Sequence, residues 1–402
     1  MNAREERGLQ IAQTARIIKT PVGWKVPSQL GVGSYIVTLG EHPFCTCPDF
    51  EARNQPCKHI HAVEFALERK TMADGTETLT RSVKLTCTQE WPAYDNAQMH
   101  EEERFVQLLH DLCNGIPQPE YRFGRPRLPL ADVVFGATYK VYSTMSGRRF
   151  MTDLREAQTK ELVAKAPSFA SNARTLENPE LTPLLKSLIE QSATPLKSVE
   201  SDFAVDSSGF ATSTYARWFD HKYGKEINVA QYIKAHVMCG VKTHVVTSVE
   251  ASPNATADTV EFIPLLKKTA ETFNISEVSA DKAYSSRANL HAVANMGATP
   301  YIPFKSNARG TGGRTTGYDG LWHRMWCFYE FNRDCFLDHY HKRSNVESVF
   351  SMIKAKFGGA VRSKTPTAQV NEVLCKILCH NICCLIQSIF ELGLEPAFWN
   401  NN

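Results

Sequence analysis

Asp202-Phe203-Ala204-Val205-Asp206-Ser207-Ser208-Gly209-Phe210 is the stretch where the residue pattern changes period. Upstream, from Leu130 to Leu196, apolar residues recur at helical spacing and Pro167, Pro179, Pro183 and Pro195 break the pattern into short helices. From Phe203 a short apolar run ends in an acid at Asp206. The ranges 232–239 and 244–249 then read as strands joined around Gly240, 259–273 as a helix, 277–280 as a strand ending at Asp281, 286–296 as a helix and 300–304 as a strand. That order of three strands, then alternating helix and strand, predicts a mixed α/β sheet. A Gly-rich basic loop, 305–318, follows, and 320–393 reads as mainly helical.

Working outward, 402 residues suit two or three domains. The net charge of +3 excludes both an acidic solvating chain and a histone-like polycation. Residues 1–115 hold 12 basic and 15 acidic side chains, a net −3; the rest holds 33 and 27, a net +6. The excess concentrates in Tyr121–Arg149 and Tyr340–Lys364, each with six basic residues and one acid. Met1–Gln10 is charged throughout, so no secretory signal is expected, and a reducing, cytoplasmic setting follows. The most apolar run, Leu374–Phe390, is interrupted by Lys376, His380, Asn381 and Gln387 and reads as a buried helix, so no membrane association is expected.

The 12 cysteines are unevenly spread. Cys375, Cys379, Cys383 and Cys384 fall along one late helix and suit packing better than metal. Cys45-Thr46-Cys47 and Cys57-Lys58-His59 form a Cys-x-Cys…Cys-x-His set. Three thiolates and an imidazole complete a tetrahedral zinc site, closed and therefore structural. The flanks, a β-like run at 35–39 and a helix over 60–70, resemble the SWIM zinc finger, a module associated with binding DNA or protein. An unmetallated loop with three crowded thiols is the plain alternative.

Asp206 and Asp281 each end an apolar strand, and Glu347 lies in a basic helix. Acids delivered to one sheet edge suit two Mg²⁺ or Mn²⁺ ions for phosphoryl transfer. Each acid alone is as easily a turn, cap or surface residue. The string Tyr340-x2-Arg343-x3-Glu347-x6-Lys354 changes that, because Arg343, Glu347 and Lys354 share one helix face. It is similar to the YREK signature of a large group of prokaryotic insertion-sequence DDE transposases. Ala204–Phe210 resembles the first-Asp block of that group, and Ala280-Asp281-Lys282-Ala283-Tyr284 its second, a D-x-x-Y element.

The resemblance spans about 120–390 and implies a ribonuclease H-like core, with Asp206, Asp281 and Glu347 as the metal-binding catalytic triad. It implies that Tyr340, Arg343 and Lys354 hold DNA phosphates, that double-stranded transposon ends and target DNA are the substrates, and that a homodimer assembles on DNA in the cytoplasm at the nucleoid. The stretch between the 300–304 strand and Glu347 is too short for the large β-rich insertion that some members carry. The expected organisation is a SWIM finger at 1–70, a connector at 71–120 with one helix over 101–113, a helix-turn-helix-like DNA-binding segment at 121–198 and the catalytic domain at 199–395.

Accessory contacts are expected from Arg125 and Arg127 around Pro126, in an extended minor-groove segment or an ordinary basic linker, and from Arg148 and Arg149 on phosphates. Trp218, Trp322 and Trp326 suit base stacking or, more simply, the core. Asp202 competes with Asp206 as the first acid, while Asp258, Asp319, Asp334 and Asp338 read as turn or surface residues. His236, His244 and His341 default to structure. The rival functions are a catalytically inactive transposase-derived DNA-binding regulator and a metal-dependent nuclease of the same fold.

Overall fold

The structure, a computed structural model, describes residues 3–15, 17–20, 22–29, 33–39, 43–71, 77–81, 90–120, 123–124, 127–212, 232–253, 257–311 and 318–399. Arg125 and Trp218 lie outside them. Two compact units result, Met1–Gln89 and Glu90–Asn402.

The first unit opens with α1 (Ala3–Thr14) and an antiparallel sheet of β1 (Ile18–Thr20), β2 (Gly23–Pro27), β3 (Ser34–Thr38) and β4 (Phe44–Cys45). Helices α2 (Pro48–Arg53) and α3 (Lys58–Ala66) follow, then the hairpin β5 (Leu67–Thr71) and β6 (Glu77–Arg81). Ile11, Val26, Val37, Phe50, Ile60 and Val63 form a thin core completed by Cys45, Cys47 and Cys57. So little apolar surface needs a further staple. The helix expected to run to Lys70 stops at Ala66, where the chain enters β5.

The second unit contains six helices, α4 (Trp91–Met99), α5 (Glu101–Asn114), α6 (Leu130–Tyr142), α7 (Met151–Thr159), α8 (Phe169–Glu177) and α9 (Leu181–Ala193), before its sheet. The sheet elements are β7 (Asp202–Ala211), β8 (Tyr232–Gly240), β9 (Val246–Ser252), α10 (Asp258–Ala270), β10 (Glu277–Ala280), α11 (Arg287–Ala294) and β11 (Thr299–Tyr301). Helices α12 (Gly320–Phe331), α13 (Arg333–Tyr340), α14 (Ser344–Phe357) and α15 (Pro366–Leu392) close the chain. The strand order is β11-β10-β7-β8-β9. Strands β7, β8 and β9 form an antiparallel meander, while β10 and β11 join parallel to β7 through helical crossovers. This is the ribonuclease H-like arrangement.

The division at Gln89 falls inside the stretch expected to be a connector. Helix α5 explains why: Phe105, Leu108, Leu109 and Leu112 form an apolar stripe buried in the second unit's core. Helix α4, not foreseen, joins the same unit. The 121–198 segment also shares that core, with Val134, Phe135, Ala137 and Val141 of α6 all buried. Here α6 is an interior helix of the helical layer.

Helix α15 is buried along most of its length and threads this core. It is the one helix among the described residues long and apolar enough to cross a membrane, yet 78% of that window is buried inside the protein. Cys375, Cys379 and Cys384 are packing residues there, as expected. Its buried polar groups are used: Asn381 Oδ1 accepts from Val246 N (2.8 Å) and its Nδ2 donates to Val246 O (2.7 Å), which covers the edge strand β9.

Candidate active site and metal cluster

The parallel register pairs Ala280 of β10 with Val205 of β7. The next residue along each chain is an acid, so Asp281 and Asp206 are neighbours on two adjacent interior strands. Strand β7 continues past Asp206 to Ala211, because β8 pairs with it over its whole length. Asp206 is therefore mid-strand rather than terminal, the position that the apolar run predicts. Asp281 lies just beyond β10 and caps a 3-10 turn, accepting from Lys282 N at 2.6 Å.

Successive strand residues face opposite sides of the sheet. Asp206 and Ser208 face α14, and Ser207 faces α10. On the α14 side Arg343 Nη1 donates to Asp206 Oδ2 (2.8 Å), while Nη2 donates to Glu347 Oε1. Glu347 sits in the first turn of α14, where the helix dipole favours an anion. The Arg343 guanidinium also lies over the Tyr340 ring at 5.9 Å. Lys354 Nζ donates to Ser208 Oγ (2.7 Å) and stands 5.4 Å from the Phe210 ring centroid. Asp206, Asp281, Glu347, Tyr340, Arg343 and Lys354 thus come together.

Burial raises the Asp206 pKa against the pull of Ser207 N–H and Arg343, and the charges of Asp281 and Glu347 add to the rise. Burial likewise raises the Tyr340 phenol and lowers the Lys354 ammonium. A desolvated Asp206 with further acids and the Arg343 cation beside it is ready to exchange that partner for a metal ion. Arg343 bridges two of the three carboxylates, so in this state their oxygens are wider apart than the ligands of a single ion.

The other sheet face holds residues that sequence reasoning left as structural. Ser207 Oγ donates to Asp258 Oδ1 (2.7 Å), and Lys234 Nζ pairs with the same oxygen at 2.7 Å. His236 is buried beside Asp258 at 3.4 Å. Only the strand alternation around Asp206 could have flagged this support. Asp202, the rival first acid, is committed elsewhere: Lys342 Nζ joins it (2.6 Å) to Glu277 (2.7 Å). Asp319 caps α12. His244 meets Asn345 at 3.2 Å.

Arg127, Arg148 and Arg149 make no hydrogen bond or ion pair with the three acids among the described residues. Trp322 and Trp326 pack instead: Trp322 meets Phe304 edge-on at 4.7 Å and donates to Arg309 O (2.9 Å), and Trp326 lies against Gly310.

In the first unit β4 presents Cys45, the N-cap of α2 is Cys47, and α3 carries His59 two residues after Cys57. The four ligand atoms lie within 4.8 Å of one another, the one such group among the described residues. His59 Nδ1 is 3.9 Å from Cys45 Sγ and 3.8 Å from Cys57 Sγ. A tetrahedral zinc ion with ordinary bond lengths sets that edge at about 3.6 Å. Contact with the Cys45 thiol and with His59 holds the Cys57 thiol below its usual pKa. The donor set fits zinc.

Residues 197–382 match the Transposase DDE domain family, and residues 35–68 match the SWIM zinc finger family. No curated protein sequence matches the chain. Among solved structures, the chain is similar to a piggyBac transposase described as a synaptic complex with hairpin DNA, at 11% identity over 74% of each chain, with a TM-score of 0.35. The chain carries a SWIM zinc finger and, behind it, a transposase DDE domain.

Proposed function

We propose that the protein is a DNA transposase that binds double-stranded transposon ends, cleaves them and joins them to target DNA. The observation that carries this is the meeting of three acids from separate elements: the Ala280–Val205 register sets Asp281 beside Asp206, and Arg343 ties Asp206 to Glu347. Asp206, Asp281 and Glu347 would hold two Mg²⁺ or Mn²⁺ ions. Such ions, when bound, activate a water or a 3′-hydroxyl and stabilise the leaving oxygen of an in-line displacement.

The chain's own residues do the positioning. Arg343 offers a planar fork to a phosphate, Lys354 a desolvated point charge, and Tyr340 a half-buried ring and hydroxyl against the backbone. Arg125, Arg127, Arg148 and Arg149 take more distant phosphates. The Cys45, Cys47, Cys57 and His59 quartet holds a structural zinc, and the first unit assists in DNA contact. We place the protein in the cytoplasm at the nucleoid, acting as a homodimer so that two ends are paired.

The test uses a labelled duplex carrying the inverted repeat that flanks the gene, a target plasmid and Mg²⁺. Joined product is expected. Asp206→Ala, Asp281→Ala and Glu347→Ala should each abolish cleavage and spare end binding. Metal-dependent nicking by any of the three overturns the triad. Cleavage without joining would make the protein a nuclease, and binding alone would make it a regulator.

A further inference from the structure

The register that sets Asp281 beside Asp206 also pairs Glu277 with Asp202, the first residues of β10 and β7. Asp202 and Asp206 are four residues apart, so they share one face of the sheet, about 13 Å from each other along the strand. That face therefore carries two pairs of acids. The single turn 341–343 ahead of α14 supplies a cation to each pair, from consecutive residues. Arg343 Nη1 reaches Asp206 (2.8 Å). Lys342 reaches the other way, and its Nζ donates to Asp202 Oδ2 (2.6 Å) and Glu277 Oε2 (2.7 Å).

The two cations differ in what they must give up. Arg343 occupies oxygens of Asp206 and Glu347 that a metal ion at the triad would need. Lys342 holds acids outside the triad. Burial opposes its charge, yet the two half-buried carboxylates outweigh that and keep its pKa above the usual value. An isolated surface ion pair adds little, but this one belongs to a network. His339 Nδ1 lies 2.9 Å from Glu277, and its ring stacks on Tyr301 of β11 at 4.4 Å. Asn345 of α14 donates from Nδ2 to Lys342 O (2.8 Å). The turn is thus fastened to β7, β10 and β11 by contacts that Arg343 does not make.

We propose that Lys342 is a positioning residue: through Asp202 and Glu277 it keeps the Tyr340–Glu347 segment on the sheet when Arg343 releases its two carboxylates, so that Glu347 stays in reach of ions held by Asp206 and Asp281. The link to the ions rests on the triad proposed above; the anchoring of the turn does not.

The test is hydrogen exchange over residues 337–350 of the full chain, followed by mass spectrometry, with Mn²⁺ binding measured by calorimetry on the same variants. Binding that Asp206→Ala removes counts as binding at the triad. Arg343→Ala should exchange like the wild type, since Lys342 still holds the turn. Lys342→Met should exchange about tenfold faster, and Lys342→Arg should restore slow exchange. Lys342→Met should also bind Mn²⁺ about tenfold more weakly, whereas Arg343→Ala should bind it no more weakly than the wild type. If Lys342→Met fails to fold, Asp202→Asn carries the test and should speed exchange in the same segment by a smaller factor. Wild-type exchange in Lys342→Met, or faster exchange in Arg343→Ala than in Lys342→Met, would overturn the anchor. A loosened segment with wild-type Mn²⁺ affinity in Lys342→Met would overturn the positioning role. The expected exchange pattern, together with Mn²⁺ binding that Asp206→Ala leaves unchanged, would support the anchor and reject the triad instead.

Discussion

Lys376 offers a perturbation whose size follows from its surroundings. It lies on α15 at 2% exposure, and its ammonium donates to Gly358 O (2.9 Å) and Ala360 O (2.7 Å). Those carbonyls belong to the turn after α14. The same turn is stitched to the end of β7, where Ala211 N donates to Gly359 O (3.0 Å) and Val361 N donates to Ala211 O (2.9 Å). Lys376 therefore props the joint between the strand of Asp206 and the helix of Glu347. Burial pushes its pKa from 10.5 down to about 8, only partly offset by the Glu372 carboxylate 3.9 Å away.

Between those values the unfolded chain holds the proton and the folded one does not. Unfolding takes up a proton there, so raising the pH stabilises the folded state. Across the full window the gain is about 3 kcal/mol. Other groups titrate in the same range, buried cysteines in the opposite sense, so the contrast must be taken against Lys376→Met, which keeps the stem and removes the charge. Urea unfolding of the full chain, under reductant and followed on the Glu90–Asn402 unit, is measured at pH 7.5, 8.5 and 9.5. The stability of the wild type relative to the variant should hold constant below pH 8 and grow by about 2 kcal/mol by pH 9.5. A difference that stays flat over the whole range would mean that Lys376 titrates like a solvated lysine, and the propped turn would be wrong.

Three further outcomes are expected. Arg343 pulls the Asp206 pKa down, so Arg343→Ala should move the acidic limb of the pH–rate profile for Mg²⁺-dependent cleavage upward; an unmoved limb rejects that link. Cys57→Ser should lower zinc content and expose residues 1–89 to protease while the Glu90–Asn402 unit keeps its melting temperature, because the thin first core relies on the four ligands; equal protection of residues 1–89 with and without zinc rejects it. Gly240→Ala places a Cβ 2.3 Å from Glu200 Cδ and displaces the carboxylate from Thr243 N (2.5 Å) and Lys242 N (3.2 Å), at a cost of about 1–3 kcal/mol in thermal unfolding; an unchanged melting temperature would show that the turn adapts.

What the sequence reveals depends on how local the signal is. Alternation, strand-ending acids and the helical spacing of Arg343, Glu347 and Lys354 are short-range patterns, and they locate β7, β10 and the face of α14. The zinc quartet is equally visible, because each ligand pair lies within three residues. The length of β7 is not, since Ser207-Ser208-Gly209 reads as a turn until β8 pairs with it. Nor is the place of α5, whose apolar stripe looks the same on an isolated connector as on a core helix.

The least visible groups are those whose partners lie far away in sequence. Lys376 reads as an interruption of an apolar run, Asn172 as one polar residue on a short helix, and Asp258 as a turn acid. Burial gives each a meaning that spacing does not. A buried ammonium must find acceptors, and Lys376 finds them in the turn after α14. A half-buried carboxylate gains from donors, and Asp258 finds Ser207 directly behind Asp206. Asn172 finds none. Paired in this way, the first two groups are structural supports for the strand of Asp206 and the helix of Glu347.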